Sequence, residues 1–189
     1  MTKKEIRKIY RERRLAMSAS EQNRADDLLL IQFQQLGIEI PGTIMTYAAM
    51  EKSREFDPHL ITDYCHFKNP NAVLCYTVIN KESNTMQAMR VTADTVFELN
   101  EYGIAEPVDG VPVFTGEIDM VLLPLLYFDD EANRVGYGKG YYDRFLAHCR
   151  RDCVKIGFSY FEPVETIDDL HEYDIKLDYG ITPGGIFVF

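Results

Sequence analysis

One stretch, from Asp119 to Arg144, constrains this chain more than any other. Its first part, DMVLLPLLY over 119–127, is almost unbroken apolar sequence, as expected of a central strand covered on both faces. A strand with no polar side needs helices above and below it, so a helix–sheet–helix sandwich follows. The rest of the chain supplies the parts. Ile6, Ile9, Tyr10 and Met17 recur at helical spacing, and Ser18 followed by Glu21 has the form of a capping box that opens a second helix ending near Gly37. Asp57-Pro58 predicts an N-cap and a first-turn proline for a helix over Asp57–Phe67, and Gly140–Arg151 reads as another helix. Strands are expected over Thr43–Ala49, Val154–Ser159, Ile175–Ile181 and Ile186–Phe189. Ala72–Ile79 and Thr85–Val91 flank the polar turn NKESN as an antiparallel hairpin. The expected fold is a three-layer α/β/α, Rossmann-like open sheet, mostly parallel with an antiparallel hairpin. No linker-like stretch or internal repeat divides residues 1–189, so one domain is expected.

Charge is unevenly spread. Residues 1–14 hold seven basic side chains against Glu5 and Glu12, whereas residues 15–189 carry 13 basic and 28 acidic groups. A net charge of -10 argues against broad nucleic-acid binding, which is driven by phosphate neutralisation. No apolar run approaches the ~20 residues that cross a bilayer, and the N-terminus lacks the apolar segment of a secretory signal. An Arg-rich start could suit a mitochondrial presequence, but Glu5, Glu12 and the lack of serine before Ser18 oppose that reading. A cytoplasmic protein without a membrane or nucleic-acid partner is expected, with a monomer as the default. The four cysteines form no C-x-x-C pair, so free thiols are expected rather than a zinc site. His59 and His66 are expected to be solvated or partly packed on a surface helix, and Asp129-Asp130-Glu131 to be an acidic turn rather than a metal cluster.

The second part of the stretch, DDEANRVGYGKGYYDR over 129–144, is where chemistry is expected. Open α/β sheets bind ligands at the carboxyl ends of their strands. A glycine-rich turn there lets backbone N–H groups approach an anion without Cβ obstruction, and the start of a helix favours negative charge. Arg134 and Lys139 bracket the glycines, so phosphate is the natural ligand. Two familiar nucleotide motifs fail: Lys139 is followed by Gly140 rather than Ser or Thr, and the third glycine comes too early for G-x-G-x-x-G. A mobile glycine turn with no ligand remains the alternative on spacing alone. Asp143, one turn further on, could hold Mg²⁺ against phosphate oxygens.

These residues resemble the 5-formyltetrahydrofolate cyclo-ligase (methenyltetrahydrofolate synthetase) family. The resemblance rests on Leu123-Pro124, Phe128-Asp129 and the run from Arg134 to Arg144. It extends to the Lys-x-x-x-Arg of Lys3 and Arg7, to Tyr47 through Glu55, to Gly103-Ile104-Ala105-Glu106-Pro107 and to Asp174 in EYDIKLDYGIT. It departs at Tyr173, where many members have His, after Phe161-Glu162-Pro163, where no Gln appears, and near Cys75-Tyr76, where the usual Leu-Pro is missing.

The resemblance implies an ATP- and Mg²⁺-dependent closure of 5-formyltetrahydrofolate, possibly polyglutamylated, to 5,10-methenyltetrahydrofolate. ADP and phosphate would be released after phosphorylation of the formyl oxygen. It assigns the ATP phosphates to Lys3, Arg7, Arg134, Val135, Gly136, Tyr137, Gly138, Lys139, Gly140, Tyr141 and Tyr142, with Lys139 and Arg134 acting on the transferred group. Met50 and Glu55 would contact the folate, and Asp143 and Asp174 would hold Mg²⁺. Lys4, Lys8, Arg11, Arg13 and Arg14 are left as a solvated charged face. Two other readings share the loop: a binding or regulatory protein that has lost turnover, and a sugar-phosphate isomerase-like enzyme needing neither ATP nor Mg²⁺.

Overall fold

The computed structural model describes residues 1–189. Four α-helices are formed: α1 (Lys3–Ala16), α2 (Ala19–Gln35), α3 (His59–Lys68) and the short α4 (Tyr141–Leu146). The strands are β1 (Thr43–Thr46), β2 (Val73–Asn80), β3 (Thr85–Arg90), β4 (Phe97–Leu99), β5 (Ala105–Pro107), β6 (Val111–Val113), β7 (Met120–Leu123), β8 (Tyr127–Phe128), β9 (Arg134–Val135), β10 (Val154–Phe158), β11 (Tyr179–Thr182) and β12 (Gly185–Val188). Eight of them form one sheet in the order β12-β11-β10-β7-β1-β2-β3-β6. The five central strands from β11 to β2 pair in parallel, while β12, β3 and β6 add antiparallel edges. Taken in chain order, the parallel strands follow the 2-1-3-4-5 sequence of a doubly wound sheet, whose switch point falls between β1 and β7.

Alternation along the central strands shows why helices lie on both faces. Ile44, Met120 and Leu122 point to one side, where Leu29 and Phe33 of α2 and Ile61 and Cys65 of α3 cover them. Met45, Val121 and Leu123 point to the other, against Tyr141, Phe145 and Leu146. Every residue of β7 is buried, as the apolar run required. Pro124 ends β7 because its nitrogen cannot donate to a ladder, so the expected 119–127 strand is split into β7 and β8. The remaining Ile6, Tyr10, Leu126, Tyr127, Val135 and Ile167 make a separate small core between α1 and the β8–β9 ribbon.

The Ser18–Glu21 capping box is formed, and Thr2 with Glu5 makes a second one at the start of α1. Asp57 instead caps from one position earlier than expected. Its carboxylate accepts from His59 N–H at 3.0 Å, and the helix begins after Pro58. The largest correction is α4, which closes after Leu146 rather than continuing to Arg151; turns at His148, Cys149 and Cys153 replace its second half. No helix is long and apolar enough to cross a membrane.

Candidate active site at the β1/β7 switch point

A cavity of about 1040 Å³, including its open mouth, lies at the carboxyl ends of β1 and β7, where Tyr47 and Pro124 leave the sheet. This is the crevice that strand order singles out. The cavity gathers Lys3, Arg7, Met50, Glu55, Arg134, Asp174 and the continuous run Gly136–Asp143 from four separate parts of the chain. Val135 is the exception among the residues assigned to the ATP phosphates. Its side chain is fully buried in the core beneath α1, so it supports the ribbon rather than facing the cavity.

One wall is dense with charge. Arg7 Nε donates to the Gly136 carbonyl at 2.9 Å, tying α1 to the glycine loop. Gly138 has φ +84°, and a Cβ there would lie 3.1 Å from Arg7 Cζ, so the loop can approach the guanidinium only without a side chain. Arg134 is turned inward: its Nη2 donates to Asp143 Oδ1 at 2.7 Å and its Nε to the Ile175 carbonyl at 3.1 Å. Burial pushes the Arg134 guanidinium pKa down, and the neighbouring Asp143 opposes that shift. Lys3 Nζ forms an ion pair with Asp174 Oδ2, which also accepts from His171 N–H at 2.7 Å. Burial alone would raise the Asp174 carboxyl, but the Lys3 and His171 hydrogen bonds hold it below its ordinary value. Because α4 has only six residues, attraction for an anion here rests on these cations and the loop N–H groups more than on a helix terminus.

The same wall offers a fit for Mg²⁺. Asp143 Oδ1 takes two protein hydrogen bonds and Asp174 Oδ2 takes both of that residue's, which leaves Oδ2 of Asp143 and Oδ1 of Asp174 without a protein donor. Two half-satisfied carboxylates beside a phosphate cradle suit an ion that prefers one or two carboxylates plus phosphate and water. No group of three or more His, Cys, Asp or Glu side chains forms a metal cage of its own. Asp129 is fully buried with both oxygens taken by Glu131, Asn133 and Ile167 N–H groups and the Asn133 amide, so it organises the turn.

The opposite wall is dry. Glu55 is 5% exposed and lies at the end of a tight turn over Glu51–Ser53, with Arg54 in the left-handed region at φ 47°. Its Oε2 accepts from Met50 N–H at 2.9 Å, and its Oε1 accepts from the Tyr137 hydroxyl at 2.5 Å. Burial raises the Glu55 carboxyl pKa, with those two bonds and the Arg14 charge working against it. Tyr47, Tyr137 and Tyr142 have phenols raised by the same burial, so they stay neutral. Ile79, Met86, Tyr102 and Ile104 complete this side. Tyr102 and Ile104 come from the β4–β5 hairpin, which Glu106 pins to β2 by accepting from Ile79 N–H at 2.9 Å.

Sequence reasoning named Met50, Glu55, Tyr137 and Tyr142 but missed Ile79, Met86, Tyr102 and Ile104 as lining residues, and it misplaced Arg14. That arginine is 2% exposed, with its guanidinium beneath the loop, instead of on the solvated face of α1. The signal was present: the buried positions Lys3, Ile6, Tyr10 and Arg14 lie on one helical stripe. Lys4, Lys8, Arg11 and Arg13 are exposed as expected, with Arg13 stacked over Tyr10 and Phe161.

Comparison with known proteins places the sequence and the fold. The sequence model of the 5-formyltetrahydrofolate cyclo-ligase family matches residues 1–181. The chain belongs to that family. It is 26% identical over 183 residues to the 5-formyltetrahydrofolate cyclo-ligase of Mycoplasma pneumoniae, covering 94% of this chain and 96% of that one. Shorter matches reach 40% identity with the Mycoplasma genitalium cyclo-ligase and 32% with that of Mus musculus. They cover 32% and 51% of this chain, and only 38% and 53% of those proteins. Among solved structures, the NMR structure of Aquifex aeolicus 5,10-methenyltetrahydrofolate synthetase superposes with TM-score 0.80 at 25% identity, covering 100% of this chain and 93% of that one. The Mycoplasma pneumoniae synthetase shares the fold at TM-score 0.73 and 20% identity, covering 96% and 98%. Cyclo-ligase family membership thus joins the motif-bearing loop to a doubly wound sheet of known kind.

Proposed function

We propose that this chain catalyses the ATP- and Mg²⁺-dependent closure of 5-formyltetrahydrofolate to 5,10-methenyltetrahydrofolate, with release of ADP and phosphate. The observation that carries the reading is the division of a single cavity into a cationic, glycine-lined wall and a dry wall bearing one carboxylate. A formyl oxygen on an amide-like nitrogen leaves poorly, and phosphorylation makes it a good leaving group. The γ-phosphoryl group passes to the formyl oxygen as its bond to ADP breaks; nitrogen 10 then forms the new C–N bond, losing its proton, and the C–O bond breaks to release phosphate. Phosphoryl transfer is mainly positioning and charge stabilisation, so no protein nucleophile is needed.

In this reading Lys3, Arg7 and the N–H groups of Gly136–Gly140 hold the triphosphate, and Lys139 steadies the transferred group. Arg134 acts through its partner, keeping Asp143 oriented toward the phosphates. Asp143 and Asp174 hold Mg²⁺, which when bound supplies positive charge to the phosphate oxygens. Glu55 accepts N–H donors from the amino-pyrimidine edge of the pterin; each of its oxygens already takes one hydrogen bond and retains a second lone pair. Met50 and Tyr47 border the ring.

The test is direct: incubate the protein with 5-formyltetrahydrofolate, ATP and Mg²⁺, follow methenyl-folate absorbance, and omit each component in turn. Product is expected only in the complete mixture. Turnover without ATP, or binding of both ligands without product, would contradict the proposal.

A further inference from the structure

The buried Arg14 has no part in the chemistry described so far, yet it is wired to it. Its Nη2 donates to the Tyr137 hydroxyl at 2.8 Å and its Nη1 to the Leu125 carbonyl at 3.4 Å. Its Nε is buried without an acceptor. Leaving a guanidinium donor unmet inside a protein is costly, so the remaining contacts need a compensating partner. The Tyr137 hydroxyl, in turn, is 2.5 Å from Glu55 Oε1.

The hydrogen bonds form a chain. A guanidinium only donates, so the phenol oxygen accepts from Arg14, which leaves its own single proton free to be donated to Glu55 Oε1. Met50 N–H donates to the other oxygen of the same carboxylate. With the phenol donating to Oε1 and Met50 N–H to Oε2, both Glu55 oxygens act as acceptors, the arrangement a carboxylate uses. A separation of 2.5 Å is in the range of a phenol donating to an ionised oxygen. The alternative force is burial, which favours the neutral acid. Of the other groups near Glu55, Tyr47, Tyr137 and Tyr142 are neutral phenols and Asp57 repels the charge. Arg14 is the cation that favours it.

We propose that Arg14 is a positioning residue that acts through the Tyr137 hydroxyl to hold the Glu55 carboxylate as a fixed acceptor for the folate. Tyr137 lies between Gly136 and Gly138, so one loop presents N–H groups to the nucleotide while its side chain sets the folate-side acceptor. This rests on the reading of Glu55 as the pterin contact given above.

Steady-state kinetics of Arg14→Met, Tyr137→Phe and the double variant, with 5-formyltetrahydrofolate and ATP varied separately, test it. Each single variant is expected to raise the folate KM about tenfold, with the ATP KM and kcat changed less than about threefold. Because both act through one bond, the double variant should be no worse than the more severe single one. A merely structural strut under the loop would move both KM values together, and that result would overturn the inference. So would additive effects, or a folate KM within twofold of wild type in folded Arg14→Met. If Arg14→Met fails to fold, Tyr137→Phe and Arg14→Lys decide by the same KM split. A wild-type protein that makes no methenyl-folate would fail the proposed function itself, whereas wild-type turnover with an unshifted KM split would fail this inference alone.

Discussion

The two walls of the cavity solve the problem of buried charge differently. On the cationic wall, proposed for the nucleotide, cations and anions meet directly: Lys3 with Asp174 and Arg134 with Asp143. On the wall proposed for the folate, Glu55 and Arg14 are kept apart and are joined through a phenol. Direct pairing leaves one free oxygen on each aspartate for a metal and suits a site that must take up a highly charged ligand. Mediated pairing sets a single buried carboxylate among phenols and apolar side chains, which suits the proposed recognition of N–H donors on a flat ring.

The largest expected effect separates the walls outright. Asp143→Asn should cut turnover by at least about 10²-fold while folate affinity stays near wild type, measured by single-turnover rates and equilibrium folate binding. Asparagine is preferable to alanine because removing the side chain would leave the buried Arg134 without its partner. Near-normal turnover would remove the metal role from Asp143. Next, Gly138→Ala should raise the ATP KM roughly tenfold and leave the folate KM within about twofold, because a Cβ at φ +84° crowds Arg7 on the nucleotide wall only. The mirror experiment is Glu55→Gln, which should raise the folate KM several-fold more than the ATP KM, by about fivefold to tenfold. Equal changes in both would erase the distinction between the walls.

The smallest effect is on stability and follows from the depressed Asp174 carboxyl. A lowered folded-state pKa gives stabilisation that is present above the ordinary value of 3.8 and is lost as pH falls through the lower folded value. Wild type should therefore melt above Asp174→Asn by a constant margin at pH 5 and higher, and the margin should shrink as pH falls below 3.8 and disappear below the lower folded value. A margin independent of pH would show that the Lys3 pairing does not depend on the aspartate charge.

The clustering of the cationic wall in one cavity was legible in the sequence because its residues are contiguous or sit in short motifs. The loop from Gly136 to Asp143 lines the cavity as a unit, and the i, i+4 pair Lys3 and Arg7 reaches the same place. The sheet was legible through the apolar run of β7 and the hairpin of β2 with β3. What failed was local. Pro124 cut the long strand, and α4 stopped at Leu146 because Cys149 and Cys153 pack into the core through turns. The folate wall was harder because it is assembled from single residues on separate elements: Tyr47 after β1, Ile79 on β2, Met86 on β3, and Tyr102 and Ile104 on the β4–β5 hairpin. Arg14 was misread because seven basic residues in one segment suggested a solvated face, although it continues the buried stripe of Lys3, Ile6 and Tyr10.

In the proposed function the loop around Lys139 is a cradle for a magnesium-bound triphosphate. Titration calorimetry of the folded protein with ATP, in the presence and absence of Mg²⁺ and of 5-formyltetrahydrofolate, decides whether it is. Saturable heat that requires Mg²⁺ and is weakened by Gly138→Ala is the expected result. No magnesium-nucleotide uptake under any of these conditions would contradict the account.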